Sequence, residues 1–385
     1  MQLTKQQWLD SLAGTVSDRD RTLLSAAYDV LKKNTVHSPD APWGDVPVIS
    51  PWSGELAGIW NWDSAFHAMT VSRYDTPLAK SCIDAFTAYQ LPTGMFPDVI
   101  RIGGEVCDNY AKPPVLPWAT LIVFGRDGDM EFLRRNFDRY VKNAAFWEKN
   151  RCDRGLFFYS AQQHPEADDY LHPRWESGWD NSPRWDEYPI VDLWPVDLNC
   201  YMVLFYRAMA QMAEILGEVR QEWDNKADAL AVRTEETLFD DARQTYADRN
   251  RKNGAFISVL SPASFMPLLI GTASPERAAA MAKLAADPKK FYPGMPTVTY
   301  DCPAYSTGYW RGQTWLNVAF FAVRGLYDYG YRKTAEEIRE FILSMVYDDL
   351  SRGISENYDT IRRVGMYNDS FSWSAAFLIE FILDF

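Results

Sequence analysis

Apolar residues recur at three- and four-residue spacing through six long stretches: DRDRTLLSAAYDVLKKN, DMEFLRRNFDRYVKNAAFWEKN, VDLNCYMVLFYRAMAQMAEILG, VRQEWDNKADALAVRTEETLF, SPERAAAMAKLAA and KTAEEIREFILSMVYDDL. That period keeps one face of a helix dry and the other wet. Three stretches open on a residue able to accept from free helical N–H groups: Ser17 or Asp18, Asp129 and Ser274. Shorter or more apolar candidates are WDSAFHAMTVSRY, TPLAKSCIDAFTAYQ, PPVLPWATLIVFG, the stretch around PASFMPLLI, WRGQTWLNVAFFAVRGLYDYG and FSWSAAFLIEFILDF. Strand signals are few. GLFFYS is one, and TYADRNRKNGAFISV reads as a hairpin turning at Lys-Asn-Gly.

No linker, low-complexity run or composition break divides the chain, so residues 1–385 are expected to form a single domain. About twelve helices in hairpin pairs, without alternating strands, predict an all-α fold, either a closed toroid or an open solenoid. A solenoid would repeat its sequence at a fixed period, and none is visible. The toroid also accounts for the irregular loops. GIWNWD, MFPDV with AKPPVLPW, WESGWDNSPRW, GYWRG, SENYD and DSFSW recur about once per helix pair, and alternate loops of such a ring meet on one face.

Charge narrows the partners. A formal net charge of −13 and a pI near 4.9 argue against nucleic acid and against anionic membranes. No apolar run reaches the roughly 18 residues of a membrane span. The opening MQLTKQQWLDSLAG lacks a basic-then-apolar leader, so a cytoplasmic location is expected. Five scattered cysteines (Cys82, Cys107, Cys152, Cys200, Cys302) read as reduced, structural thiols.

Aromatic content changes the picture further: 15 Trp, 21 Tyr and 21 Phe. Packing absorbs many, but tryptophan beside acids and amides in broken sequence suits sugars, which present CH-rich faces and hydroxyl edges. WESGWDNSPRW supplies Trp175, Glu176, Trp179, Asp180, Arg184 and Trp185. Flanking indoles desolvate an acid and raise its pKa, as a general acid requires; equally, Asp180 caps a short helix or pairs with Arg184. SENYD supplies Glu356, a candidate second carboxylate for glycoside hydrolysis or a solvated loop acid. In GIWNWDSAFH, Trp60, Trp62 and Asp63 form either a sugar platform or a helix start, and His67 reads as a core histidine. In YWRGQTW, Tyr309, Trp310 and Arg311 point to sugar contact, or Arg311 to a salt bridge at a helix start. Trp373 of DSFSW is a cavity rim or core. No P-loop, GxGxxG, GxSxG or HExxH is present, and the nearby histidines His164 and His172 lack zinc-ligand spacing. Neither metal nor cofactor is expected.

Taken in order, GIWNWDSAFH, WESGWDNSPRW, GYWRGQTWLNV, SENYD and FSWSAAF resemble the catalytic domain of glycoside hydrolase family 63, with its mannosylglycerate, glucosylglycerate and processing α-glucosidase members; the pattern is also similar to family 37 trehalases. The match runs from about residue 55 to the C-terminus. The resemblance implies an (α/α)6 toroid and an inverting, exo-acting α-glycosidase acting on a small α-glucoside or α-mannoside, such as a glycosylglycerate or disaccharide. It implies Asp180 as general acid and Glu356 as general base, with Trp62, Asp63, Glu176, Trp310, Arg311 and Trp373 around the sugar; Trp175, Trp179 and Tyr309 are added as neighbours. Before its paired prolines the chain carries Lys112 where these families usually have Gln. Either Lys112 faces the cavity, where it would meet a leaving-group carboxylate, or it faces solvent. The other readings are a sugar epimerase or isomerase, which needs proton-transferring histidines, and a carbohydrate-binding protein without catalysis.

Overall fold

The computed structural model describes residues 2–52, 54, 57–162 and 173–385; His164 and His172 lie outside them. A short first helix, α1 (Lys5–Ser11), precedes α2 (Asp18–Lys33), α3 (Asn61–Val71), α4 (Thr76–Thr87), α5 (Leu116–Phe124), α6 (Met130–Asn150) and α7 (Val196–Leu216). Then follow α8 (Gln221–Thr237), α9 (Met266–Leu269), α10 (Pro275–Ala286), α11 (Leu316–Asp328), α12 (Arg332–Asp348) and α13 (Ser372–Leu383).

Contacts order these helices into two concentric rings. Helices α3, α5, α7, α9, α11 and α13 touch in sequence, and α13 returns to α3 to close the inner ring. Outside it, α4 packs on α3, α6 on α5, α8 on α7, α12 on α11, and α2 on α13, with α10 beside α12. The architecture is an all-α (α/α)6 toroid with short β-hairpins in its loops. Hydropathy explains which helix goes where. Every residue of α3, and nearly every residue of α11 and α13, is buried, whereas α2, α6 and α12 bury one stripe. Rings from four inner helices plug the axis: Phe321 lies within 6.1 Å of Phe66, Phe377 and Tyr201.

Capping follows this division in part, since the outer helices α8 and α12 also start without a side-chain cap. Ser17, Asp75, Asp129 and Ser274 cap outer helices through their side chains. None of the six inner helices has a side-chain cap. At several of these starts an aromatic or apolar residue stands instead (Trp60, Val115, Trp315, Phe371), and these ends converge on the site described below.

The helix at PASFMPLLI is shorter than its sequence suggests, one 3-10 turn and one α turn. The TYADRNRKNGAFISV segment turns at Lys-Asn-Gly as a short hairpin, with an antiparallel bridge from Arg249 to Phe256 and the Asn250 N–H donating to the Ala255 carbonyl at 2.7 Å. Its strands also pair elsewhere: Thr245–Tyr246 with Phe239–Asp240, and Arg249–Asn250 with Leu193–Trp194. Tyr246 is pulled toward the core, where its hydroxyl donates to Glu235. GLFFYS contributes Leu156–Phe157, paired with Cys152–Asp153. A three-stranded antiparallel sheet (Gly58–Trp60, Val99–Arg101, Val106–Cys107) stands at the mouth of the ring. No helix among the described residues is long and apolar enough to cross a membrane.

Candidate active site

At the N-terminal ends of the inner helices lies a pit of about 120 Å³, walled by aromatic side chains that include Trp52, Trp60, Trp62, Trp310, Trp315 and Trp373. Asp63, Asp180, Glu356, Tyr309 and Lys112 complete its lining. Trp60, Lys112 and Asp180 also line an outer chamber of about 610 Å³ that carries Asp98, Arg101, Glu105, Cys107 and Trp175. The two spaces therefore meet at Lys112 and Asp180, where a bond between an inner sugar and an outer group would lie.

Local geometry sets each wall. Trp310 and Trp315 stack at 3.9 Å with a 7° interplanar angle, and Trp373 meets Trp62 edge-on at 5.0 Å. Gly178 has φ +74°, and a Cβ there would stand 2.4 Å from Trp62 Cζ2, so only glycine lets the loop approach that indole. Asn181 joins two motifs: its amide donates to the Gly308 carbonyl at 3.0 Å and accepts from the Trp310 N–H at 3.0 Å. Tyr309 holds a left-handed φ of +65°, unfavourable for a bulky residue, and from there its hydroxyl donates to Glu356 Oε1 at 2.8 Å. Glu356 is anchored through its own N–H to Asn368 O at 2.7 Å and by the Ser374 hydroxyl on its carbonyl at 2.9 Å.

Across the pit and its junction with the outer chamber, Asp63, Asp98 and Asp180 face the buried ammonium of Lys112, and Glu356 stands on the pit wall. Lys112 lies 3.4 Å from Asp98 and donates to the Trp175 carbonyl. Burial pushes Asp180 up to about 6 and Asp63 up to about 8, with Lys112 opposing and the neighbouring acids adding to the shift. Burial also raises Asp98 and Glu356, the latter against its hydrogen bond from Tyr309. Among the described residues no three His, Cys, Asp or Glu side chains group as a metal would need.

Several expected positions fall elsewhere. Glu176 does not line either cavity. It is fully buried, paired with Arg151 at 3.0 Å, and accepts from the backbone N–H of Ala111 and Ser160. It thus buckles three chain segments behind the wall. Trp179 is likewise behind the wall, packed on Trp310 at 5.0 Å with the Arg184 guanidinium 4.7 Å from its ring. Arg311 pairs with Asp186 at 2.7 Å and donates to the Asn181 carbonyl, so it braces the loop as a salt bridge outside the pit. Arg184 pairs with Asp197 and Asp248, leaving Asp180 free of it. Lys112 faces the cavity. His67 is a core residue bonded to Ser372 Oγ at 2.7 Å, and burial drops its pKa to about 3. Trp175 lines the outer chamber and Trp62, Asp63, Tyr309, Trp310 and Trp373 the pit. Sequence reasoning missed Asp98 and Asn181; the only signal for Asp98 was its place in the MFPDV loop.

Comparison with known proteins places this geometry. The chain is 24% identical to mannosylglycerate hydrolase of Rubrobacter radiotolerans, with 84% of this chain and 90% of the relative covered. It is 26% identical to mannosylglycerate hydrolase of Thermus thermophilus, covering 82% and 92%. A crystal structure of a family 63 mannosylglycerate hydrolase from Thermus thermophilus with glucose superposes with a TM-score of 0.79 at 24% identity, over 93% of this chain and 99% of that one. The neutral trehalase of Saccharomyces cerevisiae shares the fold with a TM-score of 0.72 at 19% identity, over 92% and 78%. The model of the mannosylglycerate hydrolase MGH1-like glycoside hydrolase domain matches residues 57–374, from the sheet before α3 into α13, so the chain belongs to that family and is a glycoside hydrolase.

Proposed function

We propose that the protein is an inverting, exo-acting α-glycosidase that releases a terminal glucose or mannose from a small glycoside, with Asp180 as general acid and Glu356 as general base. The observation that carries this reading is the meeting of these two carboxyls in one aromatic pit, without a hydrogen-bonded cation on either. Protonated Asp180, at the junction with the outer chamber, donates to the glycosidic oxygen as its bond to the anomeric carbon breaks. Ionised Glu356 takes a proton from the water that attacks the opposite face. Turnover leaves Asp180 ionised and Glu356 protonated, and exchange with solvent restores both.

Supporting groups have distinct tasks. The Tyr309 hydroxyl occupies Glu356 Oε1, leaving Oε2 for water. The indoles stack on the sugar, and Asp63, largely protonated at neutral pH, both donates to and accepts from its hydroxyls. The small inner pit fits one sugar ring, in keeping with exo action. Histidine-driven proton transfer, as in an epimerase, finds no support: no histidine lines the pit among the described residues. Inversion requires the carboxyls to stand roughly 6.5–9.5 Å apart with water between. Proton NMR of the first-formed product is the test. A β-anomer from an α-glycoside is expected, and an α-anomer removes Glu356 from the role of base.

A further inference from the structure

The outer chamber receives the group that leaves. We infer that it takes an uncharged, hydroxyl-rich leaving group, a polyol or a hexose, in preference to a carboxylate such as glycerate; this rests on the glycosidase reading above.

Asp98 sets this preference. It is 5% exposed, it lines the chamber, and its Oδ1 receives no aligned hydrogen bond, although Lys112 Nζ lies 3.4 Å away. One ammonium at 3.4 Å leaves lone pairs of this carboxylate open to a further donor. A hydroxyl can donate; an ionised carboxylate has only acceptors. Asp98 thus favours polyols and repels acids.

The cations do not offset this. Lys112 would be the natural partner for an acidic leaving group, but its ammonium already donates to the Trp175 carbonyl and faces Asp98, with Asp180 and Asp63 next in its field. A further carboxylate there would enter a space where acids already outnumber the cation. Arg101, at the rim, lies 5.4 Å from the Trp60 ring centre and 3.9 Å from Glu105. Among the described residues of the chamber, Lys112 and Arg101 each face an acid of the same chamber. Size points the same way, since about 610 Å³ leaves room well beyond a three-carbon acid.

The test compares isosteres that differ in one group. Wild-type kcat/KM is measured on α-mannosylglycerol against α-mannosylglycerate, and on the α-glucosyl pair, where a hydroxymethyl replaces the carboxylate. The neutral member should be cleaved at least about tenfold more efficiently, and Asp98→Asn should narrow that ratio. Product inhibition of the wild-type enzyme gives the same readout without a variant: glycerol should inhibit at lower concentration than D-glycerate. Equal or faster cleavage of the glycerates, or stronger inhibition by D-glycerate, overturns the inference alone. Cleavage of neither member of either pair, nor of an α-glucosyl or α-mannosyl disaccharide, overturns the α-glucosidase or α-mannosidase reading, and the inference with it.

Discussion

Asp180 and Arg184 belong to the same short loop, yet one lines a pit of weakly paired acids and the other holds two buried aspartates in a knot of hydrogen bonds. Arg184 holds Asp197 through two bonds of 2.9 Å and Asp248 at 2.8 and 2.9 Å, and Asp248 also accepts from the Val196 N–H. Its guanidinium is pressed between Trp179 and Trp185 at 4.7 and 4.5 Å. Behind the wall, Glu176 and Arg151 repeat the pattern with one acid and one base. Burial of charge is tolerable in both places because each lone pair finds a donor. At the junction of pit and chamber Asp63, Asp98 and Asp180 share Lys112, and burial makes their protons, and that of Glu356, harder to remove. The arginine of this loop braces the wall while its aspartate stays in the cavity lining.

The comparison breaks most visibly at the reacting carboxyls. Asp180→Asn and Glu356→Gln should each lower kcat by roughly 10²–10⁴-fold, with melting temperature unchanged or raised, as steady-state kinetics and calorimetry would read; a near-wild-type rate removes that residue from its role. The pH profile comes next. A general acid with a pKa of about 6 must be protonated, so kcat/KM should fall tenfold per pH unit on the alkaline side, starting near that value. Because the acids interact, the limb belongs to the cluster, and Lys112→Met, which removes the opposing positive charge, should move it upward. On the knot the effect is on folding. Arg184→Met strands two buried carboxylates and should cost about 3–5 kcal/mol in denaturant titrations.

Asp63 gives the reverse sign. Its native pKa is about 8 against 3.8 for an ordinary aspartate, so the folded state keeps a proton that the unfolded chain has released. Stability contributed by this group therefore falls as pH rises through that window. Asp63→Asn should stabilise the protein by on the order of a few kcal/mol at pH 8 and by little at pH 4, while activity drops. Arg311→Ala is the smallest: its pair with Asp186 is partly exposed, so about 0.2–1 kcal/mol is expected, with kcat within about twofold.

Helices were legible because period and caps are local. Ser17, Asp129 and Ser274 announced outer helices, and the uncapped inner starts were found through their aromatic motifs. The motifs also named most of the pit. They did not say which way a side chain points, since WESGWDNSPRW folds as 3-10 turns and bends that carry no period. Trp175 and Trp179 look alike in sequence, yet one lines the chamber and the other backs the wall. Glu176 was expected beside the sugar, but Arg151, from the end of a different helix, holds it behind the wall. Asp98 was invisible for the converse reason: a single acid in MFPDV acquires meaning only when the ring brings Lys112 beside it.

The inner ring is shut by its last member, α13, which lies between α3 and α11 with α2 on its back. The Asn34 amide reaches the Ser370 carbonyl at 2.8 Å, and Glu380 receives Thr70 at 2.7 Å and Arg73. Trp373 and Glu356 both arrive with this closing stretch. A chain emerging from the ribosome can thus form the first five inner helices and still lack Trp373 and the Glu356 carboxyl. The pit is whole only when the final helix drops into the gap.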